Sequence, residues 1–241
     1  IRFFAERFFS DTMIEGNDNL YTTVHNQCKE EAIANKIKMF LQNKYKNNIS
    51  IKKGIEIGLQ KQIIDKCNND INKYPFDFVI GSIHVINHTE FYYGDFFKGL
   101  VKEDAHRYFF EETLRCVKNF DCFNVLGHLD YIMRYGPYEN KKVEYNKYQD
   151  IIDEIFKTLI AKGKGIEINT SGYAVNGNCG FPNYQQIKRY YDLGGKIITI
   201  GTDSHTSDRV GQYINDAVEH LKKIGFKEVS TFTKRSCDLN E

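Results

Sequence analysis

The sequence predicts an α/β protein folded as a TIM-like β/α barrel, and two observations carry that prediction. Strand-like and helix-like segments alternate from residue 51 to residue 233. Apolar runs also lead repeatedly onto metal-binding side chains: KGIEIG carries Glu56, FVIGSIH ends on His84, VLGHLD carries His128, GIEIN carries Glu167, and IITIGTDSH carries Asp203 and His205. The C-terminal ends of barrel strands converge on one face, so residues far apart in sequence meet in one site. Together these features point to a metal-dependent hydrolase.

Ile51 to Leu59 is β-branched and apolar and reads as a strand; Lys61 to Lys73 is polar and helix-compatible. A strand follows over Asp77 to His84. A loop rich in Gly and aromatics, Phe91 to Gly99, leads to a helix over Lys102–Asn119 with Ala105, Phe109, Leu114 and Val117 along one face. Phe123 to His128 is the next strand. Tyr148 to Ala161 carries Ile151, Ile152, Ile155, Phe156, Leu159 and Ile160 at helical spacing and stops near Gly163. The strand Gly165 to Asn169, the helix Tyr184 to Leu193 with its Gly194-Gly195 stop, and the strand Lys196 to Gly201 complete the pattern. A helix over Val210 to Ile224, closed by Gly225, and a short last strand over Val229 to Thr233 end it. Strands separated by helices of this length form a mostly parallel sheet.

With 241 residues, 41% of them hydrophobic, the chain can bury the core of one barrel domain spanning 1–241. The 33 basic and 32 acidic residues leave a net charge of +1, which supplies no long-range attraction for nucleic acid or an anionic membrane. An anionic substrate must therefore be held locally. The six cysteines form no CxxC pair and no paired spacing of a disulfide framework, which fits reduced thiols in a cytoplasm. No apolar stretch approaches the ~18 residues of a membrane span, and IRFFAERFF lacks the core and cleavage site of a signal peptide. The chain begins at Ile1 rather than Met, which leaves a missing N-terminal portion open. Nothing in the sequence sets the oligomeric state. The 16 Tyr and 18 Phe are spread along the chain, as core filling requires.

Carboxylate oxygens mixed with imidazole nitrogens suit divalent Zn, Mn or Fe, whereas calcium takes oxygens alone. Such an ion lowers the pKa of its water toward ~7, and two or three can clamp the oxygens of a phosphoryl group, so no side-chain nucleophile is required. Consistently, the sequence has no GxSxG elbow, no GxxxxGK[ST] and no GxGxxG. A single His at a strand end is more often structural than a ligand, but charged groups at several successive buried strand ends are costly unless coordinated. Glu167 reads either as a ligand or as a carboxylate that orients a ligand histidine. His25, His88, His106 and His220 have no such placement.

The segments GIEIGLQ (54–60), YPFDFVIGSIHVI (74–86), FNVLGHLDYIMRYGP (123–137), GKGIEINTSG (163–172) and GGKIITIGTDSH (194–205) resemble histidinol-phosphatases of the PHP (polymerase and histidinol phosphatase) superfamily. The likeness runs from about Asn43 to Lys234. It implies a distorted (β/α)7 barrel, a metallophosphatase domain holding two to three divalent ions, and a small phosphorylated substrate, L-histidinol phosphate, cleaved in histidine biosynthesis. Position by position, it implies that Glu56 bridges two metals, that His84 and His128 complete one of them, and that Asp203 and His205 bind the others. Asp203 or His205 would also assist protonation of the departing alcohol. Arg134 falls where the family binds the substrate phosphate; on the sequence alone an exposed ion-pairing Arg is an equal reading.

The N-terminal part departs from the family pattern. At the positions of its H-x-H pair stand Phe4 and Glu6, followed by Ser10-Asp11. Phe cannot coordinate; Glu6 offers oxygen in place of nitrogen, and Asp11 is expected to reach the third metal. Thr23-Val24-His25 echoes the next family motif too early, and the stretch from Ser10 to Glu56 is short for two βα units, so the first units of the barrel are expected to be incomplete or remodelled. Tyr173-Ala174 replaces the Leu-Arg that follows NTSG in the family. Two readings follow: an active metallophosphatase, or a degenerate relative that keeps the barrel but little catalysis; a phosphatase for another small phosphomonoester also remains open.

Overall fold

The computed structural model describes residues 43–44, 52–176 and 178–238. Its centre is a five-stranded, wholly parallel sheet of β1 (Gly54–Gly58), β2 (Phe78–Ser82), and, after a hairpin of β3 (Val85–Ile86) and β4 (Thr89–Glu90), the strands β5 (Val125–Leu126), β6 (Gly165–Asn169) and β7 (Ile198–Gly201). The sheet order β1-β2-β5-β6-β7 follows the chain, as a barrel wall built from successive βα units does. The units expected before Glu56 lie outside the described residues.

Helices cover this sheet: α1 (Ile64–Asp70), α2 (Lys102–Asn119), α3 (Gln149–Ala161), α4 (Tyr173–Asn176), α5 (Tyr184–Asp192) and α6 (Ile214–Ile224). On α2 the buried stripe is Ala105, Phe109, Phe110, Thr113, Cys116 and Val117, with Leu114 half-buried at its edge. On α3 it is Ile151, Ile152, Ile155, Phe156 and Leu159. Each fully buried aromatic or aliphatic side chain here contributes about 1.5–3 kcal/mol. Asp153 on α3 ties this layer to α5, accepting from Arg189 Nη2 (2.5 Å) and Tyr145 Oη (2.6 Å), while Asn183 closes a capping box with Gln186 at the start of α5.

Two expectations change. The last helix begins at Ile214 rather than Val210, because Gly211 (φ 80°) and Tyr213 (φ 60°) hold left-handed conformations that a helix cannot include. The last strand, β8 (Thr231–Thr233), stands apart from the parallel sheet and pairs antiparallel with β9 (Ser236–Asp238), which sequence reading missed. Lys234 (φ 49°) and Arg235 (φ 67°) form the two-residue turn, and Phe232 stacks on Phe78 at 5.0 Å beside Ile80 and Val125. The pull of that apolar pocket on Phe232 decides the hairpin's position.

His106 sits fully buried on α2, near the rings of Tyr138 and Tyr148, and neither ring nitrogen has a partner among the described residues. Burial, assisted by the Lys102 charge, lowers its pKa from 6.5 to about 4. A depressed folded-state value means that the unfolded chain takes up the proton first as pH falls. Stability is therefore full above about 6.5 and is lost between 6.5 and about 4, by about 3 kcal/mol. His106→Phe is expected to flatten this acid limb in denaturation midpoints measured from pH 7.5 to 4.5; an unchanged slope would remove His106 as its source.

Candidate metal centre

Parallel strands place their C-terminal ends together, and the chain uses one position repeatedly. His84, His128 and Asp203 each stand two residues beyond the last residue of β2, β5 and β7, while Glu56 lies within β1. Sheet geometry thus converts a repeated offset from the strand ends into one cluster. Glu56, His84 and His128 each offer a ligand atom, and the three atoms all lie within 4.8 Å of one another. His84 Nε2 is 3.1 Å from His128 Nε2, His128 Nε2 is 3.0 Å from Glu56 Oε1, and His84 Nε2 is 3.5 Å from the same oxygen. Ligands at ~2.0–2.1 Å in a tetrahedral site stand about 3.3 Å apart, so the trio fits one transition-metal ion with room for further ligands. Two nitrogens and one oxygen suit zinc, manganese or iron.

The surrounding groups orient these ligands. Ser82 Oγ donates to Glu56 Oε1 at 2.6 Å. Burial would push the Glu56 carboxyl up, but the His128 hydrogen bond, the neighbouring imidazoles and Ser82 outweigh it and hold the pKa at about 2. The charged form is therefore the one this pocket is built around. His128 has φ 25°, an unfavourable backbone for a residue with a Cβ, and its N–H donates to Glu167 Oε2 at 3.3 Å. Its ring stacks on Tyr131 (centroids 4.4 Å), while its Nδ1 is buried without a partner among the described residues. Stacking on Tyr131, the Glu167 contact and the hydrogen bond of Nε2 to Glu56 set its orientation.

Glu167, fully buried in β6, occupies space made by two glycines. A Cβ at Gly201 would collide with Glu167 Oε1, and one at Gly127 would stand 3.3 Å from Glu167 Oε2. The contact of Glu167 with the His128 backbone is of the kind that orients a histidine.

Asp203, with φ 50°, is largely buried; burial and the Glu56 charge raise its pKa, while His128, Arg134 and His205 oppose the rise. It faces the cluster without joining the three-ligand set. His205 turns outward: its side chain is 59% exposed, and Nδ1 lies 3.0 Å from the Asp203 carbonyl. Glu6 and Asp11 lie outside the described residues.

Arg134 ends a 3-10 turn over Tyr131–Arg134. Its Nη2 donates to Ser171 Oγ, which donates in turn to Asn169 Oδ1 (2.6 Å), and its guanidinium lies 5.4 Å from the Tyr131 ring and 5.6 Å from that of Phe181. No carboxylate is within ion-pair distance among the described residues, and Nε is buried without a partner there. Among the described residues, packing between two rings and the Ser171 hydroxyl, rather than a carboxylate, hold this cation. Sequence reading missed Ser82, Tyr131 and Ser171. Each lies inside a quoted motif, but hydroxyls and rings carry no periodic signal that separates a site contact from a core contact.

The PHP domain model matches residues 10–171. The chain is 39% identical over 207 residues to histidinol-phosphatase of Lactococcus lactis subsp. lactis, covering 83% of this chain and 75% of that protein. It is 36% identical over 194 residues to a protein named "Probable histidinol-phosphatase" in Clostridium acetobutylicum, covering 80% and 74%. The crystal structure of histidinol phosphate phosphatase from Lactococcus lactis complexed with zinc, L-histidinol and phosphate superposes with a TM-score of 0.76 at 32% identity, covering 97% of this chain and 84% of that one.

Proposed function

The chain belongs to the PHP domain family, and on that premise we propose that it is a histidinol-phosphatase, hydrolysing L-histidinol phosphate to L-histidinol and phosphate in histidine biosynthesis. The observation that carries the reading is the Glu56, His84 and His128 cluster at the strand ends, in a chain so similar to a phosphatase. The proposed complement is two to three divalent ions, zinc, manganese or iron, which Glu56, His84 and His128 together with Asp203, His205, Glu6 and Asp11 would hold.

A divalent ion held here supplies Lewis acidity: it makes water acidic enough to attack phosphorus near neutral pH and draws charge from the phosphoryl oxygens. The protein's own groups do the rest. Glu56 stays ionised and neutralises the centre. Arg134, oriented by Ser171 and its two flanking rings, binds the phosphate oxygens as the P–O ester bond breaks and the new P–O bond to water forms. The departing alkoxide needs a proton, which Asp203 or His205 would help to deliver.

A second reading, a degenerate family member, is favoured by Phe4 at a metal-ligand position of the family. Metal content per purified chain and phosphate release from L-histidinol phosphate with added manganese or zinc separate the two. Two or three ions with turnover is the expected result; one ion or none, without turnover, establishes the degenerate reading.

A further inference from the structure

Among the described residues, the most exposed large apolar side chain stands close to the metal centre. The loop after β4 begins with Phe91, which is 1% exposed and wedged against Phe96 (4.9 Å) and Phe109 (5.7 Å). The next two residues, Tyr92 and Tyr93, are 70% and 56% exposed. An exposed aromatic at the rim of a site is characteristic of a recognition surface.

Ring contacts lead from the ligands to this rim. His128 stacks on Tyr131 at 4.4 Å, and His84 meets Tyr131 edge-on at 5.0 Å. Tyr131 meets Tyr135 at 5.4 Å and shares a hydroxyl contact with it (3.0 Å); Tyr135 meets Tyr92 at 5.7 Å with planes 75° apart. Arg134 lies against the same Tyr131 ring. The phosphate-binding cation and the aromatic row are therefore neighbours, and an ester whose phosphate rests at Arg134 carries its organic part along the row.

We propose that Tyr92 and Tyr135 are specificity-determining residues whose rings receive the imidazole of the substrate, with the π-faces also attracting its ammonium group. This inference rests on the proposed function and adds what selects the ester. The row offers flat π-surface, so it favours a ring-bearing amino-alcohol phosphate over an aliphatic one. Tyr135 is a poor place to test it, because its hydroxyl contacts the ring that supports His128. Tyr92 is exposed, so its replacement leaves the fold intact.

The test compares KM for L-histidinol phosphate with KM for L-alaninol phosphate, which keeps the amino-alcohol ester and lacks the ring, in wild type, Tyr92→Leu and Tyr92→Phe. Tyr92→Leu is expected to reduce the preference for the imidazole ester about tenfold, the ~1.4 kcal/mol within reach of one aromatic contact. Tyr92→Phe is expected to keep the preference. Equal changes for both esters, no change for either, or the same loss in Phe as in Leu overturns the proposal. If wild type turns over neither ester, the proposed function fails by itself, and calorimetric dissociation constants for L-histidinol and L-alaninol decide the stacking. A histidinol preference lost in Tyr92→Leu upholds it, and equal binding of the two by wild type overturns it.

Discussion

Glu56→Gln is expected to release metal from the centre and lower phosphate release at least ~100-fold, because it removes the one negative charge shared by the three-ligand cluster while keeping the side chain's length. The carboxyl is held at about 2, so it is ionised at every pH at which the enzyme would work. Glutamine can still accept from Ser82, which separates the loss of charge from the loss of a hydrogen bond. Its uncharged oxygen binds a divalent cation far more weakly. Without the charge, two imidazole nitrogens 3.1 Å apart are left to hold a dication by themselves. The measurement is metal per chain after dialysis, paired with kcat for L-histidinol phosphate. Retained turnover and undiminished metal would take Glu56 out of the proposed mechanism.

Arg134→Ala is expected to lower kcat/KM by on the order of 10²–10³, the ~3–4 kcal/mol of charge-assisted hydrogen bonds to phosphate. Arg134→Lys should recover only part of it. The guanidinium is planar, donates to Ser171 and packs between Tyr131 and Phe181, and an ammonium cannot satisfy all three contacts together. Inhibition by inorganic phosphate gives an independent readout, since the product should lose affinity in the same variants. If phosphate inhibits wild type and Arg134→Ala equally, the phosphate site lies elsewhere.

The residues that sequence reading placed correctly share a physical cause. The bounds of α2 and β6 match expectation because each element carries its own signal: a helical apolar stripe from Ala105 to Val117 in the first, and an uninterrupted buried run in GIEIN in the second. The start of α6 and the place of β8 do not, because both depend on partners elsewhere. Left-handed residues delay the helix, and the pocket of Phe78, Ile80 and Val125 captures Phe232. The metal cluster follows the first pattern, since strand-end ligands in successive βα units converge whatever the loops do. His205 shows the limit: it follows Asp203 by two residues, yet its loop turns it outward.

By itself the sequence determined the α/β class, a mostly parallel sheet and Glu56, His84 and His128 as candidate ligands, because periodicity and residue chemistry are local properties that a strand end carries with it. Only the tertiary structure decided how those ligands are held and what lies beside them. The hydroxyl of Ser82 on Glu56, the Glu167 carboxylate beneath His128, the packing of Arg134 between Tyr131 and Phe181, and the row of rings leading out to Tyr92 all depend on distances between separate elements. Such distances arise from packing the whole core at once, and no window of sequence contains them.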